Sequence, residues 1–572
     1  MPFPDPGEYP ISNQDIVSFT FNAAPYARDR PLYINPADPS EHYTYNTSRK
    51  LVRQLIAGLK ANGLQTGDTV CIHSFNSILY PLLILAIIGA GGCSVGTNPS
   101  YTRAELGHGI RLAKAKFVLA EPEILPNMLD ALKANDIDVD QKLFILDTSS
   151  TTSPPEGRQS WRKLLDYGEQ DWVNFDDLSK SRDTVAQLYF TSGTTGLPKC
   201  AMTTHRNLVA QHQLFWERNP RDYPYKGVLV MPFFHVGIAP SVFTSVIREG
   251  RQGYVMRRFD LIPYLQYYAK YKLTEIFPVP PMINAIVTSG FADEQSKNYR
   301  KDCSLRSIRN GYTGAAPCSG HLQARFQQLL GRGATFTQVW GMTETTTMYT
   351  TVPDPIARAC TKGKLDTAWG SVGVPMPCLQ AKLVDEGGND VTESGKGELC
   401  VKGPTIVKGY FENEEATAAS WDAEGYFRSG DIIEVRPHKD PETGEEFKLC
   451  FVVDRLKELI KVRGFQVAPA ELEGALGEHP DIVDAAVIGL PTRGEDGTEL
   501  PKAFVVKREG SGLTMEDVMA HMKTKVARYK QLEGGVEFVE AIPKLPSGKI
   551  LKRVLREQAK QQARQAGGIS KI

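Results

Sequence analysis

Short apolar runs alternate with amphipathic stretches through the first half of the chain. Four runs, at residues 69–72, 117–120, 143–146 and 228–231, have the length and composition of buried strands. Residues 48–62 repeat their apolar positions at helical spacing. Alternation of strands with helices is typical of parallel sheets covered by helices. We therefore predict an α/β fold.

The longest apolar stretch, residues 78–90, includes Pro81 and is too short to cross a bilayer. We predict a buried helix there and no transmembrane segment. The amino terminus also lacks the basic and then apolar order of a signal peptide. Residues 437–446, which carry proline and glycine, predict an exposed hairpin loop.

Composition narrows the class of protein. With 572 residues the chain is long enough for more than one domain. Lysine plus arginine and aspartate plus glutamate both total 66, which argues against a general binder of nucleic acid or anionic membranes. Nine scattered cysteines show no C-x-x-C spacing, so we expect a reducing compartment and neither a disulfide framework nor a zinc site.

A polar loop follows the apolar run at residues 185–190, which we predict to be a buried strand. Its glycines allow close backbone approach to a polyphosphate, its hydroxyl groups donate hydrogen bonds, and its lysine offsets negative charge. The spacing does not fit the common G-x-x-x-x-G-K-[ST] nucleotide loop. The candidate phosphate-binding residues are Thr191, Ser192, Gly193, Thr194, Thr195, Gly196 and Lys199.

The order T-S-G-T-T-G-L-P-K at residues 191–199 resembles the phosphate loop of the adenylate-forming superfamily, which includes acyl-CoA synthetases, 4-coumarate–CoA ligases and luciferases. Cys200 stands where that family usually has glycine. The resemblance implies a large domain at residues 1–453, with two α/β subdomains and a β-rich subdomain. A small mobile α+β cap, residues 454–572, would follow it.

Two further segments resemble nucleotide motifs of the superfamily. An aromatic ring beside glycine offers a face to adenine, and a carboxylate holds Mg²⁺. The resemblance therefore implies that Glu344 binds the metal and that the ATP ribose contacts Asp431 and Arg455. The other implied ATP-binding residues are Gln338, Trp340, Gly341, Met342 and Thr343.

The cap segments complete the resemblance. Lys549 matches the lysine that bridges the acyl carboxylate and the α-phosphate, and Asp454 matches the hinge. A cation between two approaching anions lowers the barrier to their reaction. Lys461 and Gln466 match catalytic polar positions. The implied coenzyme A contacts are Lys457, Arg463 and Gly464, the last because the pantetheine arm needs a position without a side chain.

A third group of residues matches the acyl-substrate pocket of the superfamily. It comprises His235, Gly237, Ser241, Tyr312, Gly314 and Ala315. In 4-coumarate-type enzymes a tyrosine occupies the place of Gly237. Its loss adds apolar volume, so we predict a medium-chain fatty or arylalkenoic acid rather than strict hydroxycinnamate specificity.

The resemblance implies a two-step ligase that uses ATP, Mg²⁺ and coenzyme A. The acid would first form an acyl-adenylate, and the coenzyme A thiol would then attack it after the cap rotates. Two alternatives remain: an adenylating enzyme with another second step, such as carrier-protein loading or luciferase-like oxidation, and a non-enzymatic nucleotide-binding relative.

The final tripeptide, Ser570-Lys571-Ile572, varies the peroxisomal S-K-L address in one apolar residue. We predict the peroxisomal matrix and contact with an import receptor, with the cytosol as the alternative. Three residues can also match by chance.

Overall fold

The computed structural model describes residues 3, 7–147, 154–155, 157–191, 198–316, 318–455, 458–462, 465–492, 499–545 and 548–565. Several residues predicted to be functional lie outside these ranges: Ser192, Gly193, Thr194, Thr195 and Gly196 of the phosphate loop, Lys457, Arg463 and Gly464 of the coenzyme A site, and Ser570-Lys571-Ile572.

The first subdomain is a seven-stranded sheet. Its strands lie in the order Gln159–Ser160, Leu143–Ile145, Ala115–Ala120, Thr69–His73, Cys93–Thr97, Val185–Thr191 and Lys199–Thr204. All neighbours are parallel except the last pair. The α/β fold class predicted from the sequence is confirmed. Helices Tyr45–Ala61, Tyr80–Gly89, Arg103–Leu112 and Leu125–Lys133 pack with this sheet.

The helix predicted at residues 78–90 is confirmed as Tyr80–Gly89, in which every residue is buried. Pro81 is accommodated because it lies in the first turn, where its missing N–H has no intrahelical partner to lose. Among the described residues, no helix is both long and apolar enough to cross a membrane.

The second subdomain has two parallel groups of strands. One sheet has the order Lys226–Leu229, Gln252–Val255, Pro31–Ile34 and His42–Thr44, whose last strand is antiparallel. The other has the order Glu275–Ile276, Asn310–Thr313 and Thr335–Gln338. Its helices are Ile16–Phe21, His205–His212, Val246–Glu249, Leu261–Tyr271, Pro280–Ser289 and Gly320–Leu329. The strand predicted at residues 228–231 begins and ends two residues earlier than expected.

The β-rich subdomain is an antiparallel sheet of four strands, Gln380–Val384, Lys396–Lys402, Phe427–Lys439 and Glu446–Arg455. The exposed loop predicted at residues 437–446 is shorter than expected. Pro437 pairs with Lys448 and Lys439 with Glu446, so only residues 440–445 form the turn. His438 is buried, because tertiary pairing extends the strands into a segment of loop-like composition.

The carboxy-terminal part has a separate hydrophobic core. A hairpin, Ile460–Val462 with Phe465–Val467, precedes a sheet of Ile482–Pro491, Glu499–Lys507 and Val536–Phe538. Helices Pro469–Leu476, Met515–Lys525 and Lys552–Gln565 complete this cap. The strand Glu446–Arg455 of the large domain reaches one residue beyond the predicted hinge, Asp454.

The remaining α-helices and β-strands are short. They comprise helices Val139–Lys142, Leu178–Asp183, Asp354–Thr361 and Glu414–Ala418, and strands Gly341–Met342, Thr347–Met348, Thr350–Thr351 and Val374–Pro375.

Candidate active site

Asp431 lies where three distant segments meet. It pairs with Arg455 across neighbouring strands, and its Oδ1 is 3.2 Å from Arg455 Nε. Its Oδ2 accepts a hydrogen bond of 2.8 Å from the Trp340 indole N–H. Burial raises the pKa of Asp431, while Arg455 and the Trp340 hydrogen bond lower it. The two donors orient the carboxylate, whose remaining lone pairs can accept from a ribose diol.

Glu344 joins the second nucleotide segment to the strand before the predicted phosphate loop. The carboxylate is buried, and its Oε1 accepts the Tyr410 hydroxyl at 2.8 Å and the Thr191 hydroxyl at 3.3 Å. Thr191 pairs with Lys199 across the strands that flank the loop. The Lys199 Nζ lies 4.6 Å from the centre of the Tyr410 ring. The ends of the predicted loop therefore meet Glu344.

The backbone after Glu344 is strained. Thr346 and Thr347 have φ of 53° and 93°, values that β-branched residues rarely adopt. Their hydroxyls compensate: Thr346 donates to Thr405 O and Thr347 donates to Val236 O, both at 2.7 Å. The chain also passes so close to Gly341 that a Cβ there would lie 1.6 Å from Thr347 O. This packing holds Glu344 in place.

Lys549 approaches the same cluster from the cap. Its carbonyl accepts the Leu545 N–H at 2.8 Å, three residues before the last helix begins at Lys552. Burial and then the charge of Arg455 lower the pKa of Lys549, whereas Glu458, Asp431 and Glu344 raise it. The structure therefore brings Lys549 within electrostatic reach of both the ribose and the metal candidates.

The other two catalytic candidates lie on a different face of the cap. Lys461 and Gln466 pair directly across the hairpin, and both side chains are exposed. The Gln466 Nε2 donates to Glu386 Oε1 of the large domain. This orientation of the cap thus presents Lys549 to the nucleotide candidates and leaves the hairpin residues outside.

His235 lies on the predicted acyl wall. Its Nδ1 accepts the N–H of Gly237 at 3.0 Å, and burial lowers its pKa to about 4, so the imidazole is neutral near pH 7. The Ser241 hydroxyl donates to Ile238 O. Because Thr347 also bonds Val236, this segment is tied to the backbone that carries Glu344.

Tyr312 packs in an aromatic cluster. Its ring makes edge contacts with Phe215 and Trp216, at centroid distances of 5.1 and 6.2 Å. Its hydroxyl accepts a hydrogen bond of 2.6 Å from Arg221, whose Nε in turn donates to Glu275 at 2.8 Å. The buried ion pair fixes the ring.

The positions of the remaining predicted residues are set by the ends of two parallel strands. Strands Asn310–Thr313 and Thr335–Gln338 end at the same edge, so Gly314 lies against the next segment, where a Cβ would be 2.9 Å from Val339 O. Ala315 adopts φ of 70°. The Gln338 amide donates to Cys318 O and Gln323 Oε1, and thus faces the helix Gly320–Leu329. Met342 and Thr343 are half-buried beside Glu344.

Sequence reasoning missed Tyr410 and Arg221. Tyr410 lies 66 residues from Glu344, and Arg221 lies 91 residues from Tyr312. The run Lys-Gly-Tyr-Phe at residues 408–411 is the only local signal for the first. An arginine in a polar segment offers no such signal for the second.

Comparison with known proteins decides the family. The family model "AMP-binding enzyme" matches residues 19–411, and the model of the AMP-binding enzyme C-terminal domain matches residues 471–549. The chain belongs to the adenylate-forming acyl-CoA synthetase family. The two matches fall on the large domain and the cap of this acyl-CoA synthetase.

Two relatives from Aspergillus niger are similar over nearly the whole chain. A phenylacetyl-CoA ligase is 42% identical, covering 97% of this chain and 99% of the relative. An acyl-CoA ligase is 43% identical, covering 97% of this chain and 100% of the relative. The solved structure of ATP-bound MatB from Rhodopseudomonas palustris has a TM-score of 0.78 and 25% identity, covering 96% of this chain and 100% of that one.

The family assigns the reaction class. The protein is an AMP-forming acid–thiol ligase that joins a carboxylic acid to coenzyme A through an acyl-adenylate, with ATP as the third substrate. This confirms the acyl-CoA ligase predicted from the sequence.

Replacing Asp431 with alanine should raise the KM for ATP about tenfold and change kcat little, because bonds to the ribose change little during reaction. The measurement is the ATP dependence of the rate at saturating acid and coenzyme A. Asp440→Ala is a matched control, since Asp440 is also buried but bonds a turn through Thr443. An ATP dependence equal to that of the control would remove Asp431 from the site.

The raised pKa of Asp454 predicts that the stability of the folded protein depends on pH. Burial raises this pKa from 3.8 to about 6, although Lys552 opposes the shift. Between pH 3.8 and about 6, the folded protein therefore holds a proton on Asp454 that the unfolded chain has released. The stability that this proton contributes is complete below the unfolded pKa of 3.8 and is lost as the pH rises through the folded pKa of about 6. From pH 4 to 7, the unfolding free energy of Asp454→Asn should rise relative to wild type by at most about 3 kcal/mol.

Denaturant unfolding at the two pH values measures this difference. A pH-independent difference between wild type and Asp454→Asn would show that the carboxyl group is not perturbed in the folded protein.

Proposed function

We propose that this ligase activates a carboxylic acid that carries an aryl group. The observation that carries the proposal is the set of rings at Tyr312. Phe215, Trp216 and Phe277 surround it at centroid distances of 5.1 to 6.4 Å. An aryl substrate that lies against this buried cluster would make further edge or face contacts of the same kind. The phenylacetyl-CoA ligase of A. niger supports the same class.

A medium-chain fatty acid is the second candidate. Gly237, which contributes no side chain beside His235, favours it by leaving apolar volume in the wall. The two candidates differ in how activity depends on chain length, because an aryl pocket rewards a ring at a fixed distance from the carboxylate, whereas an alkyl pocket rewards each added methylene.

In the first step the substrate carboxylate attacks the α-phosphorus of ATP and pyrophosphate leaves. We assign Lys549 to hold the two anions together, and Asp431 with Arg455 to hold the ribose. Preorganised charges of this kind supply most of the catalysis in phosphoryl transfer.

We assign the Mg²⁺ contact to Glu344. Its buried carboxylate uses Oε1 for two hydroxyl groups and suits a hard cation that keeps water and phosphate oxygens as its other ligands. Among the described residues, no group of three or more His, Cys, Asp or Glu side chains could hold a metal by itself. When bound, Mg²⁺ supplies neutralisation of triphosphate charge.

In the second step the thiol of coenzyme A attacks the adenylate carbonyl, the C–O bond to AMP breaks, and the thiol proton is released. We propose that the cap first rotates near Asp454 and exchanges Lys549 for the hairpin of Lys461 and Gln466. Rotation at the end of a strand is ordinary hinge motion.

The test of the substrate class profiles phenylacetate, phenylpropanoate and cinnamate-type acids against straight-chain acids of four to twelve carbons. Thioester product and pyrophosphate are measured with and without coenzyme A. We expect the highest kcat/KM among the aryl acids. A smooth rise with alkyl length, with all aryl acids below octanoate, would overturn the proposal.

Variants of Tyr312 sharpen the same test. Tyr312→Ala should shift preference toward longer or bulkier acids, because it opens the wall. Tyr312→Phe keeps the ring and loses only the bond to Arg221, so it should retain the wild-type order of acids.

We also propose the peroxisome as the location, on the strength of the Ser570-Lys571-Ile572 order. A fluorescent fusion tagged at its amino terminus is compared with the same fusion lacking these three residues. Punctate signal that becomes diffuse on truncation is expected. Diffuse signal from both would place the protein in the cytosol.

A further inference from the structure

Lys552 breaks a local rule of helix chemistry. It is the first residue of the helix Lys552–Gln565, three residues after Lys549, and Arg553 follows it. The amino end of a helix carries a partial positive charge that disfavours cations, and the first turn of this helix has no acidic residue. Lys552 is nevertheless 7% exposed. A buried cation in an unfavourable local position implies a compensating role in the tertiary structure.

Two carboxylates contact Lys552, and the charge of a third, Asp454, acts on it from farther away. Its Nζ lies 3.1 Å from Glu473 Oε1 and 3.4 Å from Glu458 Oε2. Burial alone would lower the pKa of Lys552, but the charges of Glu473, Asp454 and Glu458 raise it overall. The lysine therefore stays charged. Glu473 Oε1 also accepts the Val487 N–H at 2.9 Å, which anchors this group to the cap sheet.

Asp454 differs from the other two carboxylates because it lies on the strand Glu446–Arg455, in the sheet of the large domain. It pairs with Ile432 in the antiparallel sheet. Its contacts nevertheless reach into the cap: Oδ2 accepts the Ala470 N–H at 3.0 Å, and the charge of Lys552 lowers its pKa. The attraction between Lys552 and Asp454 thus crosses the domain boundary.

The rise that burial causes in the pKa of Asp454 is only partly offset by the charge of Lys552. The pKa remains at about 6 even with Lys552 in place, because desolvation outweighs the attraction. Removing the cation would leave a buried carboxylate at the boundary with no opposite charge, and breaking a buried pair from one side is strongly destabilising. Rotation of the cap would relieve that cost.

We propose that Lys552 is a positioning residue for the first half-reaction: it neutralises Asp454 while the cap is docked, and thereby holds Lys549 at Asp431 and Glu344. The proposal rests on the two-step reaction proposed above. Lys552 acts through Asp454 and Lys549 and does not touch the reacting atoms.

The test separates the half-reactions. Acyl-adenylate formation is measured as pyrophosphate release without coenzyme A, and thioester formation is measured from supplied acyl-adenylate. Lys552→Met should slow the first about tenfold or more and leave the second within about threefold of wild type. Lys552→Arg, which keeps the charge, should retain both.

A second substitution checks the mechanism. Asp454→Asn placed in the Lys552→Met chain removes the uncompensated charge and should restore adenylate formation to within about threefold of Asp454→Asn alone. Lys502→Met is the matched control, because Lys502 pairs at 2.7 Å with Glu537 inside the cap. It should change neither half-reaction by more than about threefold.

The outcomes distinguish two kinds of failure. Equal loss of both half-reactions in Lys552→Met, or no rescue by Asp454→Asn, would overturn the role of Lys552. Absence of coenzyme A-independent pyrophosphate release from wild type with every acid would instead contradict the proposed two-step reaction. Thermal denaturation of each variant identifies any loss of activity that arises from unfolding. If Lys552→Met is unfolded, the half-reactions of Lys552→Arg, which keeps the charge, decide whether the role of Lys552 stands.

Discussion

Replacing Lys549 with alanine should slow acyl-adenylate formation about 100-fold or more and leave thioester formation from supplied acyl-adenylate nearly unchanged. The reason is electrostatic. Lys549 lies within electrostatic reach of Asp431 and Glu344, where the carboxylate and the α-phosphate would meet, and its charge matters only while those two anions approach. Pyrophosphate release without coenzyme A measures the first step, and coenzyme A consumption with supplied adenylate measures the second.

Lys544→Ala is a matched control in the same segment of the cap. Lys544 lies five residues before Lys549, and its Nζ pairs at 2.6 Å with Asp484 inside the cap. We expect it to keep adenylate formation within about threefold of wild type, as is usual for a single partly exposed ion pair. If Lys549→Ala lost both half-reactions equally, its assignment to the first step would be wrong.

Replacing Glu344 with glutamine should also slow adenylate formation about 100-fold and raise the Mg²⁺ concentration needed for half-maximal rate. Glutamine has nearly the same shape, but it carries no negative charge to attract the cation. The rate is measured over a Mg²⁺ titration at fixed ATP. Calorimetric titration of the protein with Mg²⁺ and ATP gives a second readout that is independent of turnover.

Tyr410→Phe tests whether Glu344 acts by its charge or only through packing. It removes the hydroxyl that donates to Glu344 and leaves the carboxylate in place. We expect a loss below about tenfold, because a typical hydrogen bond contributes about 0.5 to 1.5 kcal/mol and Thr191 still donates to the carboxylate. A Glu344→Gln enzyme with wild-type Mg²⁺ dependence, or a Tyr410→Phe enzyme equally impaired, would contradict the metal assignment.

The features that the sequence predicted are those that depend on local physics. The buried helix Tyr80–Gly89 and the strand Val185–Thr191 follow from apolar runs of the right length, the second of which contains one polar residue, Gln187. Ordered motifs such as that at residues 191–199 identify a chemistry because close approach to phosphate restricts the residue types at each position. The roles assigned to single side chains within those motifs stay predictions.

Long-range pairing explains what the sequence did not show. Residues 437–439 have loop composition, yet they extend a strand because their partners at residues 446–448 complete the ladder. Thr346 and Thr347 adopt positive φ that their side chains disfavour, because hydrogen bonds to Thr405 and Val236 stabilise the turn. Neither result has a signal within a few residues of its position.

The sequence by itself determined the α/β class, the adenylate-forming family, and the order of the candidate motifs. Only the tertiary structure decided that Trp340 donates to Asp431, that Tyr410 bonds Glu344, and that Lys552 lies buried among carboxylates. The physical reason is range. Apolar periodicity and motif spacing act over about ten residues, whereas the charge on a buried group depends on partners that folding brings from distant parts of the chain.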